Sequence, residues 1–160
     1  MHAKRRSRIL ISAGFTLIEL LVVISIIGIL SRVVLASITV ARTKAYDAKV
    51  QGQLSHLRAA AEIYQVSNGN YGASTTAPCS TVSATSTGNG MFSDTASGLL
   101  RLSVSINYPV GENTIVCNSS GSAYAASDNL YATGTYWCVD STGVSKQENV
   151  ALASGAVVCP

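Results

Sequence analysis

Charge is scarce in this chain. Only 12% of its 160 residues are Asp, Glu, Lys or Arg, about half of the roughly 25% usual in globular domains. With 48% hydrophobic residues, that excludes a disordered chain, which carries the opposite bias, and argues against a highly charged nucleic-acid binder. Also missing are the residue groupings on which enzymes depend. There is no Ser/His/Asp arrangement, no glycine-rich phosphate loop and no closely spaced acid pair at a plausible site. No two cysteines lie close together, and after the first fourteen residues His56 is the only other soft ligand, which disfavours a structural zinc site. His56 lacks a nearby acid-base partner and reads as structural or solvated. No cofactor and no metal are expected. No internal repeat at a solenoid period occurs either.

The little charge present is unevenly placed. Lys4, Arg5, Arg6 and Arg8 stand before residue 10, and the rest of the chain holds seven Lys or Arg against eight Asp or Glu. A polar, basic segment over 1–14 is followed by an almost unbroken apolar run from Phe15 to Leu30, interrupted by Thr16, Glu19, Ser25 and Gly28. From Phe15 to Ser37 a helix rises about 34 Å at 1.5 Å per residue, enough to span a bilayer. Lys4 to Arg8 would hold its start in the cytoplasm and send the remainder outward, with Arg32 able to snorkel at the far end. A conventional secretory signal does not fit. The stretches around Leu30-Ser31-Arg32 and Ala36-Ser37-Ile38 are poor cleavage sites, whereas the small pair Ala13-Gly14 precedes the apolar run. Glu19 is the exception inside that run, and an acid in hydrocarbon, costing on the order of 2–3 kcal/mol, asks for a partner.

The stretch from Gly14 through Phe15-Thr16-Leu17-Ile18-Glu19 to Gly28-Ile29-Leu30 closely resembles the class III signal of type IV pilins and type II secretion pseudopilins. The resemblance is strong over residues 4–35 and loose beyond. It implies cleavage between Gly14 and Phe15 by a membrane prepilin peptidase, leaving Phe15 as N-methylphenylalanine. It also implies an assembly role for Glu19 and Phe15: the freed amine of an incoming subunit meets the Glu19 carboxylate of a neighbour, and Leu17, Leu20, Leu21, Val23, Ile24 and Ile27 exchange lipid for other helices. Such a buried pair sets register more than it adds net stability. Gly28 and Ser25 are small enough for close helix approach or local loosening. Many relatives carry proline where this chain has Ala36, which leaves the helix straighter here.

Three segments are expected: a leader over 1–14 removed on processing, a long helix over 15–67 of about 80 Å, and a β-rich head over 68–160. The fold class is α+β, the stem's second half packing on a small antiparallel sheet. Val50, Leu54, Leu57, Ala61 and Tyr64 recur at spacings of four, three, four and three, which places them on one helix face toward the sheet. Gln51, Arg58, Glu62 and Gln65 fall on other faces and read as solvated. Asn68-Gly69-Asn70 stops the helix. Residues 114–118, 130–140 and 143–147 have strand composition, with Asp140-Ser141-Thr142-Gly143 as a hairpin turn. Pro78–Gly98 reads as a Ser/Thr-rich connection with a short helix around Thr95–Leu102.

Cysteines in an exported head form disulfides more naturally than metal sites. Cys79, Cys117, Cys138 and Cys159 permit three connectivities, and the sequence does not choose among them. The favoured pairing is Cys138–Cys159, stapling the tail to the sheet, with Cys79–Cys117 securing the long loop. Asn118-Ser119-Ser120 is a formal N-glycosylation sequon read as chance, and the Ser/Thr-rich 80–97 region is a candidate for O-linked sugars.

Four functions compete: a type IV pilus subunit, a type II secretion pseudopilin, a minor pilin of a DNA-uptake filament, and an exported enzyme on a stalk. The enzyme lacks a catalytic constellation. For DNA, residues 68–160 hold only Arg101 and Lys146 against five acids, a poor counterion source for phosphate. Tyr124, Tyr131, Tyr136 and Trp137 read as core or sheet-face packing. Pseudopilin heads often bind calcium, but Asp140 with Glu148 is too thin a cluster for that. The expected partners are the chain itself, other pilins, the prepilin peptidase, the inner-membrane assembly platform and, before assembly, the inner membrane. The head would lie outside the cytoplasm and finally on a cell-surface pilus.

Overall fold

The apolar run and the stripe that follows it belong to one helix. In the computed structural model, which describes residues 14–74, 79, 90–109 and 115–160, helix α1 spans Leu17–Asn68. The predicted leader up to residue 13 and, in the Ser/Thr-rich connection, Pro78 and residues 80–89 lie outside the described residues. The helix runs through Gly28 and Ala36 without a break. It stops where Asn68-Gly69-Asn70 predicts: Gly69 takes φ 75° and its N–H donates to the Gln65 carbonyl at 2.7 Å. That is the left-handed residue that closes many helices, and it favours glycine.

By packing, the chain divides between Thr39 and Val40. In the first unit, residues 14–39 are exposed throughout. In the second, the buried residues of α1 are Val50, Leu54, Leu57, Ala60, Ala61 and Tyr64. The predicted stripe is this set, with Ala60 added because an alanine can sit at the edge of a packed face. Against it lies a four-stranded antiparallel sheet in the order β1-β2-β3-β4, comprising β1 Val116–Ser119, β2 Tyr124–Asn129, β3 Tyr136–Asp140 and β4 Ser145–Glu148. Its register pairs Cys117 with Ala126, Ala126 with Val139, and Val139 with Ser145. Alternation then sorts the faces. Cys117, Tyr124, Ala126 and Val139 join the stem in one core with Tyr71, Met91, Phe92, Leu99, Tyr108 and Ile115. Ala125, Cys138 and Leu152 form a second, small cluster with Val116, Ala156 and Cys159.

Two strand expectations need correction. The stretch 130–140 is not one strand: Leu130 to Thr135 makes a turn, with the Leu130 N–H on the Thr135 carbonyl at 2.6 Å and Gly134 at φ 64°. Only Tyr136–Asp140 continues as β3. Strand β2 is central yet carries no branched aliphatic residue, so its Tyr-Ala-Ala-Ser-Asp-Asn composition gave no strand signal. The short helix appears as α2, Leu99–Ser103, after Gly98 at φ 82°.

Candidate functional site

At the start of α1, Gly14, Phe15 and Thr16 precede the helix and are exposed. Sequence reading begins the helix at Phe15; the structure begins it at Leu17, and the side chains give the reason. Thr16 donates its N–H and its hydroxyl to Glu19 Oε2 at 2.9 and 2.7 Å, and the Glu19 N–H donates back to Thr16 Oγ1 at 3.3 Å. This is a reciprocal capping box, in which two otherwise orphaned donors at a helix start are satisfied. The Thr-x-x-Glu spacing that signals it was present in the sequence. The partner that Glu19 requires is thus supplied locally, with both Thr16 donors on the same carboxylate oxygen. Phe15 is 84% exposed, and Leu17, Leu20, Leu21, Val23, Ile24 and Ile27 are exposed along the helix. Ser25 folds its hydroxyl back to the Leu21 carbonyl at 2.7 Å. The helix is long and apolar enough to cross a membrane.

The family model described as the prokaryotic N-terminal methylation motif matches residues 11–31, which contain Gly14, Phe15, the capping box and Gly28. Residues 11–31 are thus similar to a motif found at prokaryotic N-termini that undergo methylation. Over 58 residues it is 45% identical to the type IV wide pilus major component PilA4 of Thermus thermophilus, a match covering 36% of this chain and 44% of that protein. No solved structure matches the chain. The chain has one long helix, apolar in its first half, and one small antiparallel sheet.

Within the second unit the stem is tied to the sheet by more than apolar contact. Asp47 Oδ1 accepts the Tyr131 N–H at 2.6 Å and its Oδ2 accepts the Ala132 N–H at 3.1 Å. Gln53 donates Nε2 to the Asn107 carbonyl at 2.7 Å, and Arg58 donates Nη1 to the Gly143 carbonyl at 3.0 Å. Tyr46 meets Tyr131 edge-on at 5.7 Å. Of the residues expected to be solvated, Glu62 is exposed and also accepts the Tyr71 hydroxyl at 3.1 Å, whereas Gln51, Arg58 and Gln65 are half-buried, Arg58 on the β3–β4 turn. Burial, helped by the Glu62 charge, pushes the Tyr124 phenol well above its ordinary range, as burial also does for Tyr108. Both stay protonated and uncharged in the core. His56 is exposed.

The opposite face of the sheet is organised by Asp140 and Asn118, neither of which the sequence marked for this role. Asp140 Oδ1 accepts the Thr142 N–H at 2.9 Å, the Thr142 hydroxyl at 2.6 Å and the Val144 N–H at 3.2 Å, while Oδ2 accepts the Cys159 N–H at 2.9 Å. An aspartate opening a turn is legible in sequence, but its bond to Cys159 is not. Asn118 is fully buried and donates Nδ2 to the carbonyls of Ala153 and Ala156, both at 2.8 Å. With both amide hydrogens engaged, the sequon side chain has no access to a glycosyl donor in this fold. The structure joins Cys79 to Cys117 and Cys138 to Cys159, with Cα separations of 5.2 and 5.9 Å.

Burial raises the Asp140 pKa, but the hydrogen bonds from Cys159, Thr142 and Val144 outweigh it and leave the carboxyl below its usual range. A depressed folded pKa gives stability that is present above the unfolded carboxylate value of about 3.9 and is lost as pH falls through the folded one. Thermal unfolding from about pH 6 down to about pH 2 should therefore show an acid limb. Asp140→Asn should flatten that limb and cost about 1–3 kcal/mol at neutral pH, since one oxygen becomes a donor facing donors. An unchanged acid limb in the variant would remove Asp140 as its source.

Proposed function

We propose that this chain is a prepilin, the precursor of a structural subunit of a type IV pilus. A prepilin peptidase cuts it between Gly14 and Phe15 and methylates the new amine of Phe15. The mature chain waits as a single-pass protein of the cytoplasmic membrane with its sheet outside, then polymerises with copies of itself and other pilins at an inner-membrane assembly platform. It is a scaffold and performs no catalysis. The observation that carries this reading is the run of exposed apolar side chains from Leu17 to Val40 behind the methylation motif. A helix that is apolar all round needs lipid or other helices about it, and a subunit that moves from membrane to filament core meets both in turn.

Glu19 fits the same scheme. Its capping oxygen keeps the helix start defined after cleavage, since Thr16 and Glu19 both lie beyond the cut. Its charge then remains to draw the methylated amine of a neighbouring Phe15. The pairs Cys138–Cys159 and Cys79–Cys117 are the disulfides of the exported part, and a nonreducing peptide map that joined Cys117 to Cys138 would overturn that pairing.

Intact mass spectrometry of sheared extracellular filaments and of membranes tests the reading. The expected result is a chain in the sheared fraction that begins at Phe15 and carries one extra methyl group. Mature chain confined to membranes would assign it instead to a secretion pseudopilin or a minor pilin. A membrane species that still holds residues 1–14 would defeat the processing step and the filament reading with it.

A further inference from the structure

The two disulfides differ in what surrounds them. Cys79 and Cys117 are both wholly buried in the core shared with the stem. Cys138 is buried too, but its partner Cys159 is half-exposed and lies in a segment that forms no strand. That segment crosses the outer face of the sheet. Leu152 is buried against Ala125 and Cys138, and a turn at Gly155, φ 80°, closes with the Ala156 N–H on the Ala153 carbonyl at 3.1 Å. Side chains of the sheet hold the segment: Asn118 donates to the carbonyls of Ala153 and Ala156, Asp140 accepts the Cys159 N–H, and Lys146 Nζ donates to the Pro160 carbonyl at 2.7 Å. Lys146 also forms an ion pair with Glu148.

We propose that Cys138–Cys159 is a reducible latch, and that opening it undocks the segment 149–160 while the stem and the sheet remain packed. The chemistry is thiol–disulfide exchange with a dithiol reductant. A thiolate of the reductant attacks the sulfur of Cys159, the half-exposed partner, and a mixed disulfide forms as the Cys138–Cys159 bond breaks. The second reductant thiol then resolves it. Two electrons and two protons pass to the protein, giving two thiols, and the reductant leaves as its own disulfide. Attack requires a sulfur that a thiolate can reach, which selects Cys159 over the buried Cys79–Cys117 pair.

Selective opening follows from the separation of the two clusters. The stem-facing core holds Val50, Leu54, Leu57, Tyr124 and Val139, and none of these is in the cluster under the tail. Elements with few buried apolar contacts and no shared strand ladder open at lower free energy than the core. Once released, the segment uncovers Val116 and Ala125 and frees the Asn118 amide for water. Trp137 packs on the stem-facing core, and it is the single tryptophan of the chain. Its emission therefore reports on the stem–sheet contact independently of the tail.

The test is graded reduction of the folded full chain in detergent with a dithiol, followed by alkylation and peptide mass spectrometry. Hydrogen exchange and Trp137 emission are read on the same samples. Cys138 and Cys159 should be labelled first. Exchange over 150–159 should then rise by roughly tenfold or more, with residues 50–64 and 124–129 still protected and Trp137 unchanged. Labelling of Cys79 and Cys117 at the same stage, a tail still protected after reduction, or joint loss of protection across sheet and stem would each overturn the latch. Reduction after folding avoids dependence on a variant. The double variant Cys138→Ser with Cys159→Ser, if it folds, should show the rapid tail exchange without any reductant.

Discussion

Replacing Gly14 by valine is expected to leave residues 1–14 attached and to abolish assembly. A Cβ added at Gly14 meets nothing within 4 Å among the described residues, and the position lies before the helix and is exposed. The variant should therefore fold, insert and keep its capping box as the wild type does. Under the proposed processing, what changes is how closely a peptidase can approach the peptide bond to Phe15, because glycine is the one residue without a Cβ. A displacement on the order of 1 Å at a scissile bond costs about 100-fold in rate. Intact mass on membranes should show a chain longer by the leader, unmethylated, and the sheared fraction should be empty. Normal processing of Gly14→Val would mean that the cut lies elsewhere. Glu19→Gln offers a contrast: it should be processed, since the cut precedes it, yet assemble poorly, since the charge is gone.

Leu57→Ala is expected to destabilise the stem–sheet unit by about 2–5 kcal/mol, the range for removing a fully buried leucine and leaving a cavity. Leu57 has no exposed surface and sits among Leu54, Ala61 and the inner face of the sheet. Against a total stability of about 5–15 kcal/mol for a domain, this is a large fraction. Urea unfolding in detergent, followed by Trp137 emission, should show a markedly lower midpoint with an unchanged slope. Val66→Ala on the same helix should move the midpoint little, within about 0.5 kcal/mol, because Val66 is 81% exposed. Equal shifts for the two variants would contradict the placement of the sheet on the Val50–Tyr64 face. The pair separates burial from helix propensity, which differs only modestly between leucine, valine and alanine.

Both predictions rest on features that local sequence carries. The apolar run, the Gly14-Phe15 junction and the Thr-x-x-Glu spacing are contiguous, so the chain displays them without reference to anything distant. The buried face of α1 is also legible, because a period near 3.6 places Val50, Leu54, Leu57, Ala61 and Tyr64 on one side whatever covers them. The Asp140 turn and the Gly69 stop belong to the same class, each being a residue preference within four positions.

Other features depend on residues brought together by folding. Asp47, Gln53 and Arg58 are ordinary polar residues in a helix until the chain returns, 54 to 85 residues later, with backbone groups for them to bind. Strand β2 is built from small residues of low strand propensity and exists because β1 and β3 complete its ladder on both sides. Asn118, whose sequon reads as chance in the sequence, is a buried clamp on Ala153 and Ala156. Local preference fixed the helix, its ends and its apolar faces. Only the tertiary fold decided which polar groups pair across the sheet, because a hydrogen bond between distant segments leaves no trace in the spacing of either one.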